Sequence, residues 1–220
     1  MTTTPGADAM RDFVLAGTRP VRPELVPELR LLLAEDTTAL WQQVEERFGR
    51  SGTEPPFWAA AWAGGQAVAR YLLDHPTVVA GRSVLDLASG SGLCAVAAAT
   101  AGAARVLAVD VDEFSAVAVR ENAALNDVAV EVLVADLLGG DPPAVDLVIA
   151  GDVWYERRMA ERFLAWLHRC RDAGLDVLVG DPGRAFLPRR ALVEVARYGI
   201  AADPSLESAA VRHAVVFRLR

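Results

Sequence analysis

Ser83-Val-Leu-Asp-Leu-Ala-Ser-Gly-Ser-Gly-Leu-Cys-Ala95 joins a short apolar run, one acidic residue and a loop of small residues. The apolar run around Asp86 is too short for a helix, whereas Leu93, Val96 and Thr100 recur at helical spacing. The segment therefore predicts a β-strand, a loop and an α-helix in succession. A crossover of this kind lies at the carboxyl edge of a parallel sheet, where nucleotide-like ligands bind.

The loop between this strand and this helix predicts a ligand that approaches the backbone closely. It consists of small residues, namely Ala88, Ser89, Gly90, Ser91 and Gly92. Their N–H groups and the positive end of the following helix are therefore accessible. From Gly90 onward the chain also fits the Gly-x-Gly-x-x-Ala pattern of dinucleotide-binding loops, and Asp110 follows near the distance of a ribose-binding carboxylate. Asp86 favours a cationic ligand instead, because a carboxylate at the strand end would repel a pyrophosphate.

Length and composition indicate one domain with an N-terminal extension. The 220 residues suffice for one sizeable core. We predict a mobile leader over residues 1–20, a helical extension over 21–56 and the main domain over 57–220. No apolar run reaches the roughly 20 residues that a membrane-spanning helix needs. We therefore expect a soluble, cytoplasmic protein that does not act at a membrane, and we expect it to be a monomer.

The charge of the chain favours a basic partner over a nucleic acid. The formal net charge is −7, so a phosphate backbone would be repelled. All 22 basic residues are arginine, which is typical of GC-rich bacterial coding. The histidines are scattered without metal-ligand spacing, and Cys94 and Cys170 fall in predicted helices as reduced thiols. The sequence therefore predicts no metal site.

Apolar periodicity over the rest of the chain predicts an α/β fold. Further strands are expected at residues 105–110, 130–136, 145–149, 175–179 and 213–219. Helices are expected at 23–34, 36–48, 114–125, 156–171 and 191–198, and the last strand is expected to pair with a strand near 199–202. Strands and helices that alternate in this way form a doubly wound, mostly parallel sheet, here of seven strands in a Rossmann-like arrangement with an antiparallel C-terminal strand.

Aspartates at the strand ends are the first candidate binding residues. Asp110, Asp136 and Asp152 each follow a predicted strand, and Asp86 lies at the end of the first strand. Each of the first three can also be read as the cap of a following helix. Because the carboxyl ends of parallel strands meet at one edge, we expect four carboxylates there, which need a cationic or hydroxyl-rich ligand.

Residues 57–73 predict a lid-like entry segment ahead of the first strand of the sheet. The segment contains Trp58 and Trp62, followed by two glycines and a helix. Aromatic rings beside small residues can wall a flat or sulfonium-bearing ligand. The two tryptophans can equally be ordinary aromatic core, so the sequence leaves both interpretations open.

Further motifs lie at Phe57-Trp58, Trp62, Gly64–Ala67, Arg70–Asp74, Ser83–Leu87, Gly151-Asp152, Tyr155 and Gly180–Arg184. Through them the chain, from about Pro23 to its C-terminus, resembles the seven-β-strand S-adenosylmethionine (SAM) methyltransferases. The branch that it resembles is the lysine-modifying one called methyltransferase family 16. The Gly-Asp-x-x-Tyr and Gly-Asp-Pro-Gly-Arg elements are narrower signals than the glycine loop. One departure is Ala88, which stands where the family has its first glycine.

The resemblance implies SAM as the cofactor and assigns roles to individual residues. The residues implied to face its methionine part are Asp86, Ala88, Ser89, Gly90 and Gly92. Those implied near the ribose and adenine are Asp110, Val111, Asp136 and Leu137, and those implied to close the pocket are Trp58, Trp62 and Gly65. Asp152 and Tyr155 are implied to lie beside the target amine, with Asp152 also reaching the cofactor.

The implied reaction is direct methyl transfer from a sulfonium to a neutral amine, without a metal or a covalent intermediate. A lysine side chain has a pKa of roughly 10.4 in solution, so the site must favour its deprotonated form. Asp152 is implied to orient the amine or accept its proton, and Tyr155 to bound the methyl channel. The implied partner is a protein with a target lysine, expected to be the electron transfer flavoprotein β subunit. The alternatives are a nicotinamide-like small-molecule N-methyltransferase and, more remotely, an NAD-dependent oxidoreductase.

Overall fold

The computed structural model describes residues 6–49, 54–200 and 213–220. The helices are α1 (Ala7–Gly17), α2 (Thr37–Phe48), α3 (Ala63–Asp74), α4 (Leu93–Thr100), α5 (Glu113–Leu125) and α6 (Arg157–Asp172). The strands are β1 (Arg19–Val21), β2 (Leu31–Leu33), β3 (Ser83–Leu87), β4 (Arg105–Asp110), β5 (Glu131–Val134), β6 (Leu147–Gly151), β7 (Asp176–Asp181), β8 (Leu192–Gly199) and β9 (His213–Leu219). From β3 to β7, strands and helices alternate, except that a loop joins β5 to β6.

Seven strands form one sheet in the order β5-β4-β3-β6-β7-β9-β8. The strands from β3 to β7 run parallel, whereas β9 runs antiparallel to both of its neighbours. The direction of winding reverses between β3 and β6, so the loops after these two strands border a crevice at the carboxyl edge. The predicted doubly wound, mostly parallel sheet with an antiparallel C-terminal strand is confirmed.

Both faces of the central strands of this sheet are buried. On one face Leu85 packs in a cluster with Trp166 of α6. On the other face Val84 packs with Val68 of α3 and Ala95 of α4. Because successive residues of a strand point to opposite faces, a strand covered on both sides is apolar throughout. This burial explains the continuous apolar run of β6 and the apolar residues on both sides of Asp86 in β3.

The segment predicted as a helix over 191–198 is strand β8, so that prediction is wrong. β8 pairs antiparallel with β9, and a bulge lies between Glu194 and Ala196. The bulge interrupts the alternation that marks a strand, and the alanine and leucine content favours a helix locally. Long-range pairing with β9 overrides that preference. Of the partner strand predicted near 199–202, Gly199 belongs to β8 and pairs with His213, and residues 201–202 lie outside the described residues.

The N-terminal region also differs from its prediction. Helix α1 lies within the segment read as a mobile leader, and the Phe13 ring packs 5.7 Å from the Phe114 ring of α5. Residues 23–34, predicted as a helix, form turns followed by β2, which pairs antiparallel with β1. Pro23 and Pro27 each lack the N–H group that a helix interior needs. Apolar spacing alone therefore misidentified this segment.

Other local predictions hold. Helix α2 begins after Asp36, whose carboxylate accepts the N–H groups of Thr38 and Ala39. Cys94 and Cys170 are buried free thiols, as expected. Of the helices in the described residues, none is long and apolar enough to cross a membrane. The proposed boundaries between leader, extension and main domain stay a prediction.

Candidate active site

A cavity of about 500 Å³ opens at the carboxyl edge of the parallel strands. Its size lies within the roughly 300–1,000 Å³ of small-molecule pockets. Residues of the glycine loop, of the strand ends and of the first turn of α3 contribute to its walls. The predicted site residues that line it are Trp62, Gly65, Asp86, Ala88, Ser89, Gly90, Asp110, Val111, Asp136, Leu137, Asp152 and Tyr155. The fold therefore brings most of the predicted site together.

Trp58 and Gly92 do not line the cavity, so the structure gives no support to their assignment to the cofactor. Trp58 is 1% exposed and stacks on Phe114 with 5.8 Å between ring centroids. It belongs to the aromatic core, the interpretation that the sequence had left open. Gly92 has a φ of 76°, and a Cβ atom there would lie 2.9 Å from Cγ2 of Val119. Gly92 therefore allows α5 to pack closely against the start of α4.

The loop after β3 has an unusual backbone conformation. Ala88 and Gly90 have φ angles of 55° and 50°. For a residue with a Cβ atom this left-handed conformation costs on the order of 1 kcal/mol, which Ala88 carries where the resembled family has glycine. Beside it, the buried Ser89 hydroxyl has no hydrogen-bond partner within the described part of the chain. An unpaired hydroxyl next to a cavity is a natural place for a polar atom of a ligand.

Asp86 lies at the floor of the cavity and is 1% exposed. One of its carboxylate oxygens accepts the N–H of Ala95 at 2.9 Å. Burial raises the pKa of Asp86 to about 8, and the nearby Asp110 contributes in the same direction. Without a cation beside it, the carboxyl group is therefore largely protonated at neutral pH. A bound cation would favour the charged carboxylate. Binding of a cationic ligand is therefore coupled to loss of the proton from Asp86.

Asp110 and Asp136 are not helix caps. Asp110 accepts the N–H of Gly90 at 2.8 Å and that of Asp112 at 3.0 Å, and Asp112 is the residue that caps α5. Asp136 precedes a loop and pairs with Arg162 at 2.6 Å. The hydrogen bond from Arg162 lowers the pKa of Asp136. Both aspartates thus present carboxylate oxygens at the cavity, as the strand-end argument predicted.

Asp152 caps a helix far from it in sequence. It has a φ of 59° and is 7% exposed. Its Oδ2 accepts the N–H of Gly65, in the first turn of α3, at 3.0 Å. Its Oδ1 accepts Nε and Nη2 of Arg184 at 3.1 and 2.7 Å. Because Glu156 caps α6, the interpretation of Asp152 as the cap of the following helix is wrong.

Aromatic side chains and one arginine surround the mouth of the cavity. The ring of Phe57 lies 5.7 Å from Trp62 and 5.4 Å from Tyr155. The indole N–H of Trp62 donates to the carbonyl oxygen of Phe57 at 2.9 Å. The guanidinium carbon of Arg184 lies 5.7 Å from the Trp62 ring centroid. Such a frame can enclose the aliphatic stem of a long amine while its end group reaches the floor.

Phe57 and Arg184 line the cavity, although the sequence gave neither of them a role. Both belong to motifs that carry the family resemblance, which was the available signal. Their roles depend on packing, since Arg184 and Asp152 are separated by 32 positions in the chain. In the described ranges, no group of three or more His, Cys, Asp or Glu residues is arranged to hold a metal ion.

Comparison with known proteins gives relatives that match most of the chain. The electron transfer flavoprotein β-subunit lysine methyltransferase of Danio rerio is 36% identical over 99% of this chain and 86% of its own length. The protein of the same name from Xenopus laevis is 39% identical over 81% of this chain and 72% of its own length. The chain belongs to this lysine methyltransferase family. It is therefore a SAM-dependent protein-lysine methyltransferase, and hydride transfer is left without support.

Other comparisons agree on the methyltransferase fold. The family of ribosomal protein L11 methyltransferases (PrmA) matches residues 70–151. The ribosomal protein L11 methylase of Lactobacillus delbrueckii subsp. bulgaricus has a TM-score of 0.51 and 21% identity, over 73% of this chain and 80% of that one. The two relatives above are vertebrate proteins, so they do not support the predicted bacterial origin. Cytoplasmic location, the monomeric state and the lack of a nucleic-acid partner stay predictions.

Proposed function

We propose that the cavity binds SAM and that the enzyme methylates a lysine of the electron transfer flavoprotein β subunit. The observation that carries the proposal is the meeting of four strand-end carboxylates with an aromatic mouth in one cavity. The names of the relatives support the choice of substrate, since they match over most of the chain.

The residues at the cavity fit SAM. The unpartnered hydroxyl of Ser89 and the buried carboxyl of Asp86 would face its amino acid part. Asp110 would accept the ribose hydroxyls, because its carboxylate lies at the end of β4 on the cavity wall. Val111 is 64% exposed although it lines the cavity, and a flat ring placed on it would bury this apolar surface. Asp136 lies where it can reach a polar group on that ring.

The chemistry needs a neutral amine beside a methyl donor. When bound, SAM supplies a methyl group on a sulfonium, and the amine takes it in a single displacement. The rings of Phe57, Trp62 and Tyr155 would surround the lysine stem and exclude water from it. Removal of water disfavours the charged ammonium, whereas the nearby carboxylates favour it, so desolvation by the rings is what this mouth contributes to deprotonation of the lysine. The chain thereby contributes orientation and desolvation.

Asp152 is suited to orient the amine rather than to accept its proton. Its two oxygens are already engaged, one by the N–H of Gly65 and the other by Arg184. Burial raises the pKa of Asp152, but a proton on either oxygen would displace the N–H group that this oxygen accepts. We therefore assign Asp152 to the placement of the amine, and the proton is lost to solvent before transfer.

A basic surface is the expected partner of this mouth. Glu54, Asp112 and Glu156 line the cavity in addition to the strand-end carboxylates, and the chain has a net charge of −7. Complementary charge speeds association and fixes the docking orientation. The lysine on the flavoprotein is accordingly expected to lie among other basic residues.

Mass spectrometry tests the assignment. Purified electron transfer flavoprotein, ribosomal protein L11 and nicotinamide are incubated separately with the enzyme and isotopically labelled SAM. We expect added mass on a lysine of the flavoprotein β subunit and none on nicotinamide. Methylation of nicotinamide alone would move the enzyme to the small-molecule branch, and methylation of L11 alone would replace the proposed substrate.

Two variants separate cofactor binding from a general loss of structure. Asp110→Ala removes the carboxylate assigned to the ribose, so SAM affinity measured by calorimetry should fall by roughly ten-fold or more. Asp141→Ala removes an exposed carboxylate that does not line the cavity, and SAM affinity should be unchanged. Equal affinity in both variants would contradict the assignment of Asp110.

A further inference from the structure

Arg184 is the cation that faces Asp152 at the cavity. Its Nε and Nη2 donate to Oδ1 of Asp152 at 3.1 and 2.7 Å. The side chains of Arg184 and Asp152 are only 18% and 8% exposed. The guanidinium also lies over the ring of Trp62. Because a guanidinium is planar and delocalised, this fork of two N–H groups on one carboxylate oxygen fixes how Arg184 meets Asp152.

The backbone of Arg184 is held by a turn at the end of β7. One oxygen of Asp181 accepts the N–H of Gly183 at 2.6 Å and that of Arg184 at 2.7 Å. Asp181 is fully buried, and its other oxygen has no hydrogen-bond partner among the residues described. Gly183 has a φ of 102°, so the turn depends on glycine. The Gly180–Arg184 motif thus presents one arginine to Asp152.

We propose that Arg184 is a positioning residue that keeps the Asp152 carboxylate ionised and oriented for the target amine. The inference rests on the proposed methylation of a lysine at this site, and it gives a role to a motif that the resemblance left without one. Arg184 also influences the wall of the cavity, because the Asp152 carboxylate that it orients accepts the N–H of Gly65 in the first turn of α3.

None of the other titratable groups described around Asp152 supplies a positive charge that could replace that of Arg184. Asp181, at the end of β7, has a pKa of about 6, which burial and then Asp152 itself raise. The thiol of Cys94 on α4 and the phenol of Tyr155 have pKa values that burial raises, so both stay neutral. Burial raises the pKa of Asp152 too, and Arg184 is the strongest opposing influence. Removal of the arginine charge would therefore protonate Asp152 at a higher pH.

Arg184→Met and Arg184→Lys test the inference. Methionine removes the charge, whereas lysine keeps the charge and loses the fork. For the protein substrate, kcat/KM is measured at about pH 6.5 and about pH 9. The value at pH 9 is divided by the value at pH 6.5, and this ratio is compared with that of the wild type. We expect the ratio to rise at least about three-fold in Arg184→Met and to stay near the wild-type ratio in Arg184→Lys.

A second readout does not depend on turnover. Carbon NMR of isotopically labelled aspartate follows the titration of each carboxyl group, and Asp152→Asn identifies the signal of Asp152. We expect the Asp152 signal to titrate at a higher pH in Arg184→Met than in the wild type. Arg157→Met is the matched control, since Arg157 is an exposed arginine on α6 that lies over the Phe186 ring. It should change neither the ratio nor the titration.

Three results would overturn the inference. They are an unchanged ratio in a folded Arg184→Met protein, a ratio in Arg184→Lys as high as in Arg184→Met, and an Asp152 titration that is the same with and without the arginine. A wild-type enzyme that methylates none of the proteins offered would instead refute the proposed function. In that case the NMR titration still decides whether Arg184 controls the ionisation of Asp152.

Discussion

Asp86 shows how one buried carboxyl group can serve binding at the expense of stability. It is 1% exposed, and burial raises its pKa to about 8. In an unfolded chain an aspartate titrates near roughly 4, so folding takes up a proton between about pH 4 and about pH 8. The stability of the free enzyme therefore falls as the pH rises through that window. A cation bound at Asp86 would offset this loss.

The variant Asp86→Asn lacks this ionisation. Its amide oxygen can still accept the N–H of Ala95, which Asp86 binds at 2.9 Å. Without ligand, we expect the variant to melt at a higher temperature than the wild type near pH 8.5, and the difference to shrink toward pH 4.5, because the proton uptake that folding requires of the wild-type group costs less as the pH approaches the unfolded-state pKa. Its SAM affinity, measured by calorimetry near pH 8.5, should be lower than that of the wild type.

Asp141→Asn is the control for this prediction, since Asp141 is exposed. Its melting temperature should follow that of the wild type at every pH. A gain in Asp86→Asn that is equally large at acid and alkaline pH would show that the substitution acts through packing and not through ionisation.

At the level of secondary structure, the site depends on how closely α3 approaches the ends of two strands. A Cβ atom on Gly180 would lie 2.0 Å from the carbonyl oxygen of Gly64, and one on Gly64 would lie 2.3 Å from the carbonyl oxygen of Gly180. A Cβ atom on Gly151 would lie 2.7 Å from the Cα of Gly65. Glycines on both sides therefore allow backbone to meet backbone. This approach places the N–H of Gly65 on Asp152.

Gly180→Ala should push α3 away from the sheet. The clash is with backbone atoms, which cannot move aside alone, so we expect a loss of about 1–3 kcal/mol in the free energy of unfolding. Methyl transfer should fall further than stability predicts, because Asp152 loses its contact with α3. Urea denaturation and the labelled-SAM assay measure the two effects.

Gly139→Ala is the matched substitution at an open position, where a Cβ atom would have no neighbour within 4 Å. Its free energy of unfolding should stay within about 0.5 kcal/mol of the wild type. If Gly180→Ala unfolded at the same urea concentration as Gly139→Ala, close packing of α3 would not limit stability.

At the scale of the whole molecule, net charge and the acidic mouth act together. The chain has a net charge of −7, and Glu54 adds a carboxylate to the cavity lining. We expect the KM for the protein substrate to rise as salt is added, since ions screen exposed charges over about 10 Å at 0.1 M salt. Steady-state kinetics at several salt concentrations measure this dependence.

Glu54→Gln should raise KM at low salt, and its difference from the wild type should disappear at high salt. Glu161→Gln serves as the control, because Glu161 is exposed on α6 and does not line the cavity. A KM that does not respond to salt, or equal effects of both variants, would rule out electrostatic attraction at the mouth.

The pattern of neighbouring residues along the chain was enough to predict the crossover of β3, the glycine loop and α4. The apolar run of β3, the small-residue loop and the helical spacing after it define a crossover through neighbouring residues. The strand-end aspartates meet at one edge because parallel strands all end there, which follows from the alternation of strands and helices. Fold class and the strand-end part of the cavity lining could therefore be predicted without any long-range contact.

Tertiary contacts decided the rest. Strand β8 exists because β9 pairs with it, and local propensity pointed to a helix. Trp58 faces Phe114 and not the cavity, a choice between two environments that suit an aromatic ring equally. Asp152 caps α3 at a separation of 87 positions and binds Arg184 at a separation of 32. Hydrogen bonds between residues so far apart in sequence depend on how helices and strands pack, and the spacing of residues along the chain does not determine that packing.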